Sequence, residues 1–168
     1  MSIAMGFIKL FMVREHRSLY DLETTLQRVR KQARAAGWHI PFEFSLEDTY
    51  REHGIEDMIP AVNIFLCDPP AGRELSAKDE FKAMLVMMPT VMSIYQRSDG
   101  EVRVCRMRLG TMKNMFFGAA RRVLANGEAR LQKTLEGIVE PPTEMRLPLP
   151  MRICPICRGM FALHEAMS

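Results

Sequence analysis

Apolar and polar residues alternate along this chain with different periods, and each period predicts an element. The short apolar run Ala61-Val62-Asn63-Ile64-Phe65-Leu66 is bounded by Pro60 and by Cys67-Asp68-Pro69-Pro70. It predicts a buried central strand that delivers Cys67 to its C-terminal end, where the chain turns and a ligand can approach. Before it, Leu22, Leu26, Val29 and Ala33 recur at helical spacing behind Asp21, a good N-cap, until Gly37 stops the run. Trp38, Ile40, Phe42 and Phe44 then alternate with His39, Pro41 and Glu43, which predicts a strand with one buried face and an exposed His39. Ser45 with Asp48 makes a capping-box pattern for a short helix ending near Gly54, and Ser76 with Asp79 repeats it after an Asp68-Pro-Pro-Ala-Gly loop.

Further on, Pro89 lacks a donor for a ladder and marks an edge, a bulge or a strand start. Residues 91–97 and 101–108 read as two strands joined at Ser98-Asp99-Gly100. Thr111 can cap a helix striped by Met112, Met115, Phe116, Ala119, Val123 and Leu124; Asn126-Gly127 weakens the stripe before Leu131, Leu135 and Ile138 resume it. Pro141-Pro142 ends the pattern. The expected fold is α+β, an antiparallel-rich sheet covered by helices. The expected parts are an apolar N-terminal segment (1–13), the α+β domain (14–140) and a proline-punctuated tail (141–168).

At 168 residues the chain can bury a core, and 48% hydrophobic with 26% charged residues is ordinary for a globular protein. A net charge of +3 is too small to argue for nucleic acid. The charge is uneven, acidic over 43–57 and basic over 97–133, yet solvated faces explain both runs more simply than a polyanion site. No aromatic residues interleave the basic run as single-strand binding requires. Nucleic acid is not an expected partner.

The stretch 3–13 opens on Ile3, closes on Val13 and falls short of the ~20 apolar residues that span a bilayer. With Arg14 and Arg17 behind it, it suits either a membrane surface or burial against a partner subunit. It lacks the basic start and cleavage site of a signal peptide, so a cytoplasmic protein, peripheral at most on the inner membrane, is expected, with its cysteines as thiols or ligands. There are four, Cys67, Cys105, Cys154 and Cys157. Cys154-Pro-Ile-Cys157 is a knuckle in which two thiolates can grip one tetrahedral metal, with His164 as a third ligand. One such pair is half a structural zinc site, a redox thiol pair is the competing use, and a lone C-x-x-C can also carry no chemistry. Of the fifteen methionines, Met84, Met87, Met88, Met92, Met107, Met112 and Met115 cluster around the hairpin and the following helix, where packing explains them as readily as a soft ligand.

Together these segments resemble the bacterial and archaeal family called domain of unknown function 302 from Arg14 to about Val139. The matching pieces are Arg17 to Asp21, the helix ending in Gly37-Trp38, Leu66-Cys67-Asp68-Pro69 and Met87-Met88-Pro89. The hairpin from Ser93 to Gly100 and the helix start from Met112 to Gly118 complete them. The resemblance implies a compact α+β fold, often a homodimer, and makes residues 3–13 look like the remnant of a membrane anchor carried by some relatives. This chain has Thr90 where relatives of this subtype place a second cysteine, and Arg108 where they tend to have an asparagine.

Three functions follow as expectations. The leading one is an accessory or binding protein that holds a soft ligand, with Cys67, Met88 and Thr90 lining the site, or that docks on a partner or a second copy. The second is a thiol- or persulfide-handling enzyme with Cys67 as nucleophile. The third is a zinc-knuckle interaction module through Cys154, Cys157 and His164. His16, His39, His53 and His164 are scattered, no spacing pairs one with Cys67, and binding is expected ahead of catalysis.

Overall fold

A computed structural model describes residues 12–141. The chain begins with strand β1 (Val13–Arg17) and turns into helix α1 (Leu22–Ala35), whose first turn is held by the Asp21 carboxylate accepting from the Thr24 amide at 2.8 Å. Thr25, Leu26, Val29 and Ala33 form its buried stripe. Strand β2 (Glu43–Ser45) leads directly into helix α2 (Leu46–Glu52), capped by Ser45 as its pattern predicts. Strand β3 is Ala61–Leu66, followed by helices α3 (Pro69–Ser76) and α4 (Asp79–Lys82) and a 3-10 turn (Ala83–Met87). Strands β4 (Thr90–Gln96) and β5 (Val102–Met107) form the hairpin, closed by Gly100 at φ +84°. A short helix α5 (Leu109–Met112) and a 3-10 turn (Lys113–Met115) precede the long helix α6 (Gly118–Leu135).

The five strands form one antiparallel sheet in the order β1-β5-β4-β3-β2. This is the α+β architecture that the sequence pattern predicts. Period-two alternation sends Ile64, Leu66, Met92, Ile94 and Val104 to one face, where they meet Leu26 and Val29 of α1 and Leu124, Leu131 and Leu135 of α6 in a single core. The opposite face, with Phe65, Ser93, Tyr95 and Cys105, is half-buried. Phe42 stacks on Phe65 there with ring centroids 4.1 Å apart.

The observed elements depart from the sequence expectations in several places. Asp68-Pro-Pro-Ala-Gly is the first turn of α3, because prolines fit helix positions whose amides have no intrahelical partner. Ser76 ends α3 instead of capping the next helix; its hydroxyl donates to the Arg73 carbonyl at 3.1 Å, and α4 follows Lys78 without a side-chain cap. Strand β3 is interior but second from the edge, and β4 takes the centre. The strand expected from Trp38 to Phe44 shortens to three residues. Trp38 enters the core, whereas Phe44, opposite Asn63, lies on the half-buried face.

Gly127 is a contact position rather than a weak point. A Cβ there would stand 2.9 Å from Leu109 Cδ1, so glycine leaves the space that the Leu109 side chain occupies. No helix among the described residues is long and apolar enough to cross a membrane.

Candidate functional site

The site grows from the end of β3. Cys67 and His39 exchange backbone hydrogen bonds, Cys67 N–H to His39 O at 2.8 Å and His39 N–H to Cys67 O at 2.9 Å. One residue on, the Asp68 carboxylate caps α3 by accepting from the Ala71 amide at 3.3 Å. Its second oxygen accepts from Arg130 of α6. The same guanidinium donates from Nε to the Ala36 carbonyl at 3.0 Å and from a terminal nitrogen to the Gly37 carbonyl, and lies 4.5 Å from the Trp38 ring centre. One side chain thus joins the end of α1, the end of β3 and the middle of α6.

Behind this brace lies a cavity of about 50 Å³. Leu66 and Thr90 line it from the sheet, and Trp38 from the chain after α1. Met84, Met87 and Met88 form a wall of thioethers, and Leu124 and Gly127 close it from α6. The surroundings are apolar apart from Asp68 and two groups of another kind. The Trp38 indole N–H and the Thr90 hydroxyl are buried, and neither has a hydrogen-bond partner. A buried polar group left unpaired costs about 1–3 kcal/mol, so each needs a partner such as water or a ligand. The volume suffices for about three or four waters, or for a ligand of similar size.

Of the residues singled out from the sequence, Met88 and Thr90 meet at this cavity. Cys67 does not line it, since Leu66 points inward and alternation turns the next residue away; its thiol is half-buried. Arg106 and Arg108, which would lower the pKa of that thiol if the hairpin brought them near, belong elsewhere. Arg106 is on β5, separated from β3 by β4, and is held by Glu128 at 2.8 and 3.0 Å. Arg108 directly follows β5. Cys154, Cys157 and His164 lie outside the described residues, as do residues 3–11 of the apolar stretch. Among the described residues no group of three or more His, Cys, Asp or Glu is placed to hold a metal ion.

Sequence reasoning missed Arg130, Trp38 and the Arg106–Glu128 pair. Arg130 and Asp68 are 62 residues apart, and no local pattern joins them. Arg106 did leave a signal, a charge at the inward phase set by Val102 and Val104.

The family model described as Domain of unknown function DUF302 matches residues 14–139. The crystal structure of an uncharacterized conserved protein of that family from Bacillus stearothermophilus superposes with a TM-score of 0.62 at 19% identity. The match covers 74% of this chain and 95% of that one, and the likeness is one of fold. No curated protein matches the chain.

Proposed function

This chain belongs to the domain of unknown function 302 family through residues 14–139, and we propose that it is a binding protein whose cavity between β3, β4 and α6 holds a small, soft ligand with one hydrogen-bonding end. The observation that carries this reading is that Trp38 and Thr90 both line a cavity walled by methionines, and each keeps a buried polar atom, Nε1 and Oγ1, without a partner. Indole N–H is a donor only, and a threonine hydroxyl donates or accepts, so the ligand presents an acceptor to them. Polarizable thioethers favour an apolar or sulfur-containing remainder.

Dimethyl sulfoxide, a soft acceptor of four non-hydrogen atoms, is a suitable probe. A calorimetric titration is expected to give saturable binding that Thr90→Val weakens about fivefold, the equivalent of one ordinary hydrogen bond. Equal binding by wild type and Thr90→Val, or none by either, contradicts the reading.

Docking on a protein partner or a second copy is supported by a different observation. Phe117 is 81% exposed, Met115 74% and Val86 89%, a display of large apolar groups that suits an interface. Sedimentation of the native chain as a monomer across the micromolar range counts against it. Use of Cys67 as a nucleophile has less support, because its thiol faces away from the cavity. The zinc-knuckle reading, with zinc as its cofactor, rests on Cys154, Cys157 and His164, and metal analysis of Cys154→Ser tests it.

A further inference from the structure

A second feature stands apart from the methionine cavity, on the helix-covered face near the β1 edge. Alternation along β5 places Arg106 in the same phase as Val102 and Val104, and Arg108 continues that phase. Register then sets Arg14 directly opposite Arg106 and His16 opposite Val104. Directly opposed residues of an antiparallel pair share a face, with Cβ atoms about 4.5–5.5 Å apart. Two arginines are therefore cross-strand neighbours, a third stands two residues along, and a histidine stands beside them.

Burial makes this arrangement unusual. Arg106 is 2% exposed, Arg108 6% and His16 8%, while Arg14 on the edge strand is half-buried. Glu128 of α6 is the carboxylate of the group. It pairs with Arg106 at 2.8 and 3.0 Å and also accepts from the Gly110 amide at 2.9 Å. Its oxygens are thereby engaged, yet Arg106 Nε and His16 Nε2 are buried with no partner at all. A structural ion pair needs only Arg106 and Glu128. Setting Arg14 directly opposite Arg106 adds like-charge repulsion in a poorly solvated place, where an apolar side chain would be more stable. The desolvation and mutual repulsion also lower the proton affinity of Arg14 and Arg108.

We propose that Arg14, His16 and Arg106 form a binding site for a small oxyanion, of the phosphate, sulfate or carboxylate type, entering beside Arg14 at the β1 edge. The planar forks of arginine match the oxygens of such an anion, and the buried Arg106 Nε–H supplies a donor that Glu128 does not use. His16 adds a neutral donor when its ring proton is on Nε2. The anion balances a charge that Glu128 leaves over, since Arg14 and Arg106, directly opposed across the strands, face one carboxylate among the described residues.

The test is calorimetry on the full chain with inorganic phosphate, sulfate and acetate, at ionic strength held constant with chloride. At least one anion is expected to bind saturably at one site per chain, and the order among them identifies the class. Arg14→Leu is expected to weaken binding at least tenfold. Arg121→Ala, which removes the same charge from an exposed position on α6, is expected to leave it unchanged. If Arg14→Leu fails to fold, Arg14→Gln takes its place. In the wild type the Arg106 Nε–H proton resonance is expected to move downfield as the anion fills the site. The proposal is overturned if none of the three anions binds saturably, if the Arg14 and Arg121 variants weaken binding equally, or if the Arg106 resonance stays in place at saturation.

Discussion

Arg130 lies over the Trp38 ring, its guanidinium carbon 4.5 Å from the ring centre, while its nitrogens reach Asp68 and the carbonyls of Ala36 and Gly37. This contact fixes the indole that lines the cavity, so the brace and the proposed binding site share a wall. Arg130→Ala is expected to lower unfolding free energy by about 2–4 kcal/mol, because Asp68 and two carbonyls lose a charged partner together. Arg130→Lys is expected to recover little of it, since an ammonium has no planar fork to stack on the ring while serving three acceptors. Urea unfolding of the two variants checks both expectations.

Gly37 offers a second probe of the same brace. Its φ of +84° disfavours any side chain, and a Cβ would stand 3.0 Å from an Arg130 terminal nitrogen. Gly54 has a similar φ of +77° with open space around it. Gly54→Ala is expected to cost about 1–2 kcal/mol for backbone conformation alone. Gly37→Ala is expected to cost more, and the excess measures the displacement of Arg130. Equal losses in denaturant unfolding contradict the brace.

Glu128 is expected to be the most sensitive carboxylate of the basic cluster. Burial alone pushes its carboxyl up, but the Arg106 hydrogen bonds and charge, with the Gly110 amide, outweigh that and hold it below the usual range. A carboxylate depressed in the folded state contributes stability that is present above its unfolded pKa and is lost as pH falls through the folded value. Glu128→Gln is expected to destabilise the protein by about 3–5 kcal/mol at neutral pH, by leaving Arg106 buried and unpaired. It is also expected to flatten the loss of stability at the acid end. Chemical unfolding measured as a function of pH reads both.

His16 contributes in a different window. Burial first, then the charges of Arg106 and Arg14, hold its imidazole down to about 4 from the ordinary 6.5. Between those values the unfolded chain takes up a proton that the folded chain refuses. Stability is therefore complete above 6.5, falls as pH drops toward 4, and loses nothing more from this group below that. The loss is expected to be about 2–3 kcal/mol, and His16→Gln is expected to remove that slope. A ring-proton titration by NMR with a midpoint near 6.5 in the folded protein contradicts this.

Much of the fold was legible because its signals are local. Asp21 before a helical stripe, Ser45 three residues before Asp48, and Ser98-Asp99-Gly100 between alternating strands each specify a geometry within a few residues. The errors arose where two local meanings compete. A proline pair after Asp68 reads as a loop and equally fits a helix start, and Asn126-Gly127 reads as a break until Leu109 is seen to need the space. The site was half legible. Met88 and Thr90 follow from the strand end facing them, whereas Cys67 falls on the wrong side by the alternation that the strand itself imposes. Arg130 and Trp38 come together only through the docking of α6 on α1, which no spacing encodes.

The central claim is that the cavity beside Thr90 holds a small ligand between thioethers and two polar groups. Its most direct measurement is the carbon-labelled methyl NMR spectrum of the native chain during titration with dimethyl sulfoxide. The account predicts that the methyl resonances of Met84, Met87 and Met88 shift together and saturate, with Met12 and Met115 as exposed references that do not saturate with them. The Trp38 indole N–H resonance is predicted to move downfield along the same curve as it gains an acceptor. Shifts that grow linearly and equally at all five methionines, with an unchanged indole signal, contradict the claim.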